Sequence, residues 1–260
     1  MVKAEYELAP QEGQKKEGSM AGSKKKWLIP LLITVLILLI VAVVLIVLFV
    51  EGGPPQYKGF EPILPDKRIC FDPKNESSYQ KYVQVYNKMI EPYEAARLGG
   101  DMIDCTLRPP NNEEVCYFRD TWFDDCSKIG HWGFKTSSPC YFLTLDQHRE
   151  FAVEPYKKTD VLPEEMPKYL RDYIKEDLED NKELVGLHCS GSDYYKPLPG
   201  FLKNFLRPSN STNYLTPLVA VAFDLNGKDH LDVECTVWSN TTLVNPFPKI
   251  SFQFQISQNC

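Results

Sequence analysis

The side chains with the widest chemical range are eight cysteines: Cys70, Cys105, Cys116, Cys126, Cys140, Cys189, Cys235 and Cys260. A thiol can act as a nucleophile, a metal ligand or half of a disulfide, and spacing together with compartment decides which. The four histidines, His131, His148, His188 and His230, are scattered, and neither Cys-x-x-Cys nor His-Glu-x-x-His spacing occurs, so no zinc site is expected. His188-Cys189 invites a nucleophile-and-base reading, against which stands the ordinary fate of a secreted cysteine, a disulfide. No Gly-x-Ser-x-Gly elbow, Gly-rich phosphate loop or Asp-Lys-Thr-Gly-Thr motif is present. The acidic pairs and runs at Glu164-Glu165 and 176–180 lack the Asp-x-Asp-x-Asp-Gly order of a calcium loop and read as solvated surface. The sequence therefore predicts no catalytic residue, no cofactor, no metal and no small-molecule substrate.

Which chemistry the cysteines follow depends on where the chain places them. Residues 27–50 are 24 successive positions without a charge, nearly all Leu, Ile and Val, with Pro30 near the start and Thr34 the one small polar residue. A hydrocarbon layer of roughly 30 Å needs about 20 apolar residues at a helical rise of about 1.5 Å, so this stretch can span with some tilt. A cleaved signal peptide would have an apolar region of only about 7 to 15 residues and a small-residue cleavage site, which Glu51-Gly52-Gly53-Pro54-Pro55 does not supply. Lys24, Lys25 and Lys26 precede the span, whereas Glu51 follows it and the next basic residue is Lys58, so the positive-inside rule puts residues 1–26 in the cytosol.

The expected layout is a disordered cytoplasmic tail over 1–26, a transmembrane helix serving as signal anchor over 27–50, a stalk over 51–69 and an extracellular domain over 70–260. The protein is then a single-pass type II membrane protein. All eight cysteines and the three Asn-x-Ser/Thr sequons, at Asn75, Asn210 and Asn240, follow the span, where disulfides form and N-glycans are attached. With Ala42 and Thr34 as its small residues, the span has no small-xxx-small face, and membrane lipid is expected against most of its sides. The net charge is −6; the tail carries six Lys against four Glu, which leaves −8 for residues 51–260 and argues against nucleic acid as a partner.

The positioning elements are mostly strands. Residues 214–225 form an apolar β-branched run, Asn226-Gly227 is the signal for a type I′ hairpin turn, and 230–238 resumes alternation. Residues 249–256 alternate strictly, with Ile250, Phe252, Phe254 and Ile256 on one face and Ser251, Gln253 and Gln255 on the other, as in a half-buried antiparallel strand. Residues 77–98 place Tyr82, Val83, Val85, Tyr86, Met89 and Ile90 at helical spacing, with Ser77 or Ser78 as N-cap and Gly99-Gly100 as the stop. A shorter helix is expected over 167–178. The fold class is mainly β: one transmembrane helix, then an immunoglobulin-like antiparallel β-sandwich with one or two helices.

Eight cysteines allow 105 pairings, which spacing alone leaves open. The run Val-Cys-Tyr-Phe-Arg-Asp-Thr-Trp-Phe-Asp-Asp-Cys-Ser over 115–127, with Cys116, Trp122, Cys126 and Ser127 in their places, resembles the signature of the β subunits of Na,K- and H,K-transporting ATPases. The likeness continues through Phe71-Asp72-Pro73, residues 79–86, Asp101-Met102-Ile103 before Cys105, Gly133-Phe134-Lys135 with Pro139-Cys140, residues 215–223, and Val233-Glu234-Cys235, in the family's order. The resemblance implies bridges Cys105–Cys116, Cys126–Cys140 and Cys189–Cys235. Cys70 and Cys260 have no family counterparts, and because unpaired thiols are a liability outside the cell, a fourth bridge between them is expected. The chain departs from the family in its span, whose only aromatics are Trp27 and Phe49 and which has no Gly, and in a short interval from Cys189 to Cys235.

The resemblance also implies a role: a non-catalytic subunit at the plasma membrane that pairs with the catalytic α subunit of a P-type cation pump, assists its folding and delivery, and tunes its cation affinity. The rival is a β-subunit-like glycoprotein acting in adhesion or junctions without a pump. Trp122, Trp132, Tyr141, Phe142, Phe252 and Phe254 are expected in the interior. Tyr194, Tyr195, Phe201 and Phe205 stand in a Pro- and Gly-punctuated stretch, expected as a loop, and are the candidate partner-binding residues.

Overall fold

The structure, a computed structural model, describes residues 34–39, 59–96, 102–111, 113–145, 153–206, 214–241 and 248–260. The chain divides into two units, Met1–Pro55 and Gln56–Cys260. In the first, residues 34–39 are helical with Val35 to Leu39 exposed. Among the described residues no helix is long and apolar enough to cross a membrane. The rest of the span over 27–50, the tail over 1–26 and most of the stalk over 51–69 lie outside the described residues.

In the second unit β1 (Phe60–Pro62) and β2 (Arg68–Phe71) come first, both beginning within the segment read as stalk. Helix α1 follows (Glu76–Ala96). Its N-cap is Asn75, not Ser77 or Ser78: Asn75 Oδ1 accepts the Ser77 N–H at 3.2 Å, while the Ser78 hydroxyl turns back to the carbonyls of Asp72 and Asn75. The stop at Gly99-Gly100 lies outside the described residues. Then come β3 (Met102–Ile103), β4 (Val115–Cys116), β5 (Cys140–Leu145), β6 (Tyr156–Lys157) and α2 (Lys168–Asp172), which continues as a π-turn over Tyr173–Asp177. The last strands are β7 (Glu183–Cys189), β8 (Tyr194–Lys196), β9 (Gly200–Leu202), β10 (Leu218–Ala222), β11 (His230–Trp238) and β12 (Lys249–Ile256).

The strands form two main sheets. One has the order β1-β5-β10-β8, antiparallel throughout; the other runs β2-β12-β11-β7-β6, with β9 also on β7. The expected antiparallel pattern holds except for β2 on β12 and the small β3–β4 pair, which are parallel. Every side chain of β5 but Thr144 is buried because the strand packs on both faces. Tyr141 stacks on Phe252 of the other sheet, ring centroids 3.7 Å apart, whereas its neighbour Phe142 points the opposite way and meets Tyr86 of α1 at 4.9 Å. Helix α1 directs Tyr79, Tyr82 and Tyr86, at helical spacing, to one side, where Phe134 stacks on the first two at 5.8 and 5.5 Å. Each such ring taken fully out of water contributes about 1.5–3 kcal/mol.

The expected hairpin at Asn226-Gly227 is not one. β10 and β11 belong to different sheets, and residues 223–229 carry the chain between them. The Lys228 N–H closes a turn on the Leu225 carbonyl at 3.0 Å, but of its central residues only Gly227 has a positive φ (73°), where type I′ needs two. Asp224 Oδ1, accepting the Asn226 N–H at 2.9 Å, selects this Asx-type turn instead. The 214–225 run is a strand only over its middle five residues, Leu218–Ala222.

Candidate functional site

Four disulfides staple the second unit: Cys70–Cys260, Cys105–Cys116, Cys126–Cys140 and Cys189–Cys235. Cys189 and Cys235 face each other across β7 and β11 of one sheet, unlike an immunoglobulin bridge, which crosses between sheets. With its sulfur in this bond, Cys189 has no thiol to offer as a nucleophile, and the His188 beside it is pushed below its ordinary pKa by burial.

The Cys105–Cys116 bridge joins β4 to the turn after β3, and the chain leaving Cys116 lays Phe118, Arg119 and Trp122 along one side of a groove of about 190 Å³. Leu198, Phe201, Phe205 and Leu218 of β10 complete its lining. The rings pack on one another: Phe118 to Phe205 at 4.9 Å, Phe118 to Trp122 at 6.1 Å and Trp122 to Phe205 at 6.0 Å, the last two edge to face.

At the rim, Arg119 Nη2 donates to Asp104 Oδ2 at 2.7 Å and to the Tyr117 hydroxyl at 3.1 Å, and the guanidinium lies over the Trp122 ring at 6.0 Å. The Tyr117 hydroxyl, then the Asp104 carboxylate, hold Arg119 above its usual pKa. Asp104 Oδ1 is taken by the N–H and hydroxyl of Thr106 at 3.0 and 2.5 Å. The arrangement can bind and orient a guest: apolar rings line the groove and a charged, hydrogen-bonded pair stands at its rim.

The four aromatics picked out as binding residues divide. Phe201 and Phe205 reach the groove, yet they are buried, on β9 and on a 3₁₀ turn (Lys203–Leu206), not on a loop. Phe201 pairs with Val185 of β7, and the Gly200 before it, at φ 154°, has its Cα side against the Val185 carbonyl, where a Cβ would stand 2.2 Å away. Tyr194 and Tyr195 sit on β8 and do not line the groove. The Tyr195 hydroxyl accepts the Cys189 N–H at 2.7 Å and the Tyr169 hydroxyl proton at 2.9 Å, so it braces the backbone at a bridge. Trp122, expected inside, is half-buried because one edge of its ring faces the groove.

Sequence reasoning passed over Asp104, Thr106, Arg119 and Leu198. One signal was available: a charged Arg119 amid Phe118, Trp122 and Phe123 has to find an acceptor, and Asp104 lies just ahead of the paired Cys105.

A family model described as the sodium/potassium ATPase beta chain matches residues 31–253, across both units. The chain belongs to this family. Among curated beta chains, the beta-1 subunit of the sodium/potassium-transporting ATPase of Drosophila melanogaster is 30% identical over 200 residues, covering 70% of this chain and 62% of the relative. The beta-2 subunit of the same organism is 26% identical over 209 residues, and that of Mus musculus 29% over 174, covering 65% and 56% of those relatives. The chain thus spans less than two thirds of each of these three beta chains. Of the three sequons of this beta chain, Asn75 is exposed at the cap of α1; Asn240 is exposed at the end of β11, its N–H on the Glu154 carbonyl at 2.7 Å and its Nδ2 on Asp160 Oδ2 at 3.3 Å; Asn210 lies outside the described residues.

Proposed function

We propose that this beta chain is the non-catalytic subunit of a P-type Na⁺/K⁺ or H⁺/K⁺ pump, pairing with its catalytic α subunit at the plasma membrane. Residues 27–50 anchor it as a type II protein, and Asn75, Asn210 and Asn240 carry N-glycans on the outer side. Its work is binding: by preferring the correctly inserted catalytic subunit it shifts that subunit's population toward the folded form, and outer contacts bias cation affinity. The family match over 31–253, taking in the apolar stretch and the disulfide-stapled domain together, carries this reading. Affinity purification from native membranes in mild detergent is expected to recover a P-type ATPase near stoichiometry; its repeated absence would overturn the proposal.

The composition of 27–50, without Gly and with aromatics only at its ends, favours a second reading, adhesion without a pump. Replacing residues 28–49 by an unrelated apolar helix separates the two, since adhesion survives the exchange and pump association weakens.

A further inference from the structure

We propose that the groove between Arg119 and Phe205 is a binding site for one free small aromatic carboxylate, a ligand class distinct from the cations of the pump. The inference stands on the groove alone and does not need the pump reading. An apolar cavity of about 150 Å³ holds benzene. A groove of about 190 Å³ with Phe118, Trp122, Phe201 and Phe205 in its walls therefore fits one six-membered ring and a small substituent. The rings of the wall touch one another at 4.9 to 6.1 Å, so they do not open into a box around a cation; they present edges and faces to a flat guest.

The mouth selects the substituent. Asp104 and Arg119 form one ion pair, but unequally: the Asp104 side chain is 10% exposed and that of Arg119 47%. Both carboxylate oxygens are occupied, one by Thr106 and the other by Arg119. Arg119 has five N–H donors, and among the described residues its two hydrogen bonds, both from Nη2, leave those of Nε and Nη1 unspent. A guest ring meets donors and positive charge at its outer end. A carboxylate is matched by these donors, a neutral hydroxyl less well, and an ammonium, itself only a donor, finds as acceptor there a carboxylate already bonded to Thr106 and Arg119.

Benzoate, benzyl alcohol and benzylammonium have the same ring and differ in this end alone, so they are the probes. Each is titrated onto the full chain in lipid nanodiscs, with empty discs as control, and read by saturation-transfer NMR and tryptophan emission. Benzoate is expected to saturate with a Kd on the order of 1 mM, as suits so few atoms, and benzylammonium to bind at least about tenfold more weakly. Leu198→Trp, which fills the groove from a half-buried wall position, is expected to abolish saturable binding. Arg119→Gln, which leaves the Asp104 carboxylate without its cation, is expected to bring benzoate down to the level of benzyl alcohol or below it. If Leu198→Trp lowers the melting temperature, the Arg119→Gln comparison decides alone. No saturable benzoate signal, equal binding of benzylammonium, or unchanged benzoate affinity in Arg119→Gln would each overturn the site. Recovery of a pump in the purification above neither rescues nor sinks this result.

Discussion

Two clusters of aromatic rings lie in one domain and are packed to different ends. Between α1 and β5, the Phe142 ring is enclosed by Tyr86, Phe123 and Trp132 at 4.9 to 5.4 Å, and Trp132 Nε1 donates to Asn87 Oδ1 at 3.0 Å. Around the groove, Phe118, Trp122 and Phe205 touch at similar distances, yet among the described residues one side of the group is open and a guanidinium stands where the core has a buried ring. Ring-to-ring contact thus does not distinguish core from binding surface. What distinguishes them is whether the last face of each ring is met by protein.

The sharpest way to break this comparison is a pair of truncations. Phe142→Ala leaves a cavity sealed on all sides and is expected to cost about 3–5 kcal/mol in chemical denaturation, whereas Trp122→Ala, losing a ring already half in water, is expected to cost about 1 kcal/mol. Equal losses would mean that the groove is core after all. A smaller effect concerns the staples. Cys260 is exposed and Cys70 half-buried, while the other six cysteines are at most 7% exposed. Thiol–disulfide exchange needs access to a sulfur, so limited dithiothreitol is expected to open Cys70–Cys260 first, as followed by peptide mass mapping. Loss of Cys126–Cys140 ahead of it would show that the loop around Trp132 opens more readily than its packing implies.

The smallest effect is in alkali. Burial, with the Asp160 charge adding to it, raises Tyr156 to about 12, and burial likewise raises Tyr86, Tyr93 and Tyr141. A folded-state value above the unfolded value of about 10 gives stability that is complete below pH 10 and lost as pH rises through the folded value. Melting temperature is therefore expected to hold to about pH 10 and fall from there to about pH 12, with the share of tyrosinate absorbance that comes from these buried rings rising as the domain opens.

Much of this was legible in the chain. Strict alternation from Ile250 to Ile256 reports one buried face, and the spacing from Tyr79 to Tyr86 reports a helix, because each element packs as its own period dictates. Asn226-Gly227 misled since a two-residue signal is local, while the assignment of β10 and β11 to separate sheets is set by what each packs against. Phe201 and Phe205, candidate partner-binding residues expected on a loop, lie on β9 and a 3₁₀ turn. The Pro197 and Gly200 that suggested a loop are compatible with short edge strands, and Gly200 is needed there for close approach to β7. Arg119 and Asp104 meet only through a bridge between β4 and the turn after β3, a contact that no sequence period encodes.

The amide of Asn75 stands both at a helix cap and in a sequon. Its oxygen holds the first turn of α1, and its nitrogen is the atom to which a sugar would be joined. Deleting the residue to remove a glycan would also fray the helix that carries Tyr79, Tyr82 and Tyr86, so a loss of yield in Asn75→Gln could not be credited to the sugar. Ser77→Ala keeps the backbone N–H that the cap needs while erasing the attachment signal, and it is the substitution through which carbohydrate and helix can be told apart.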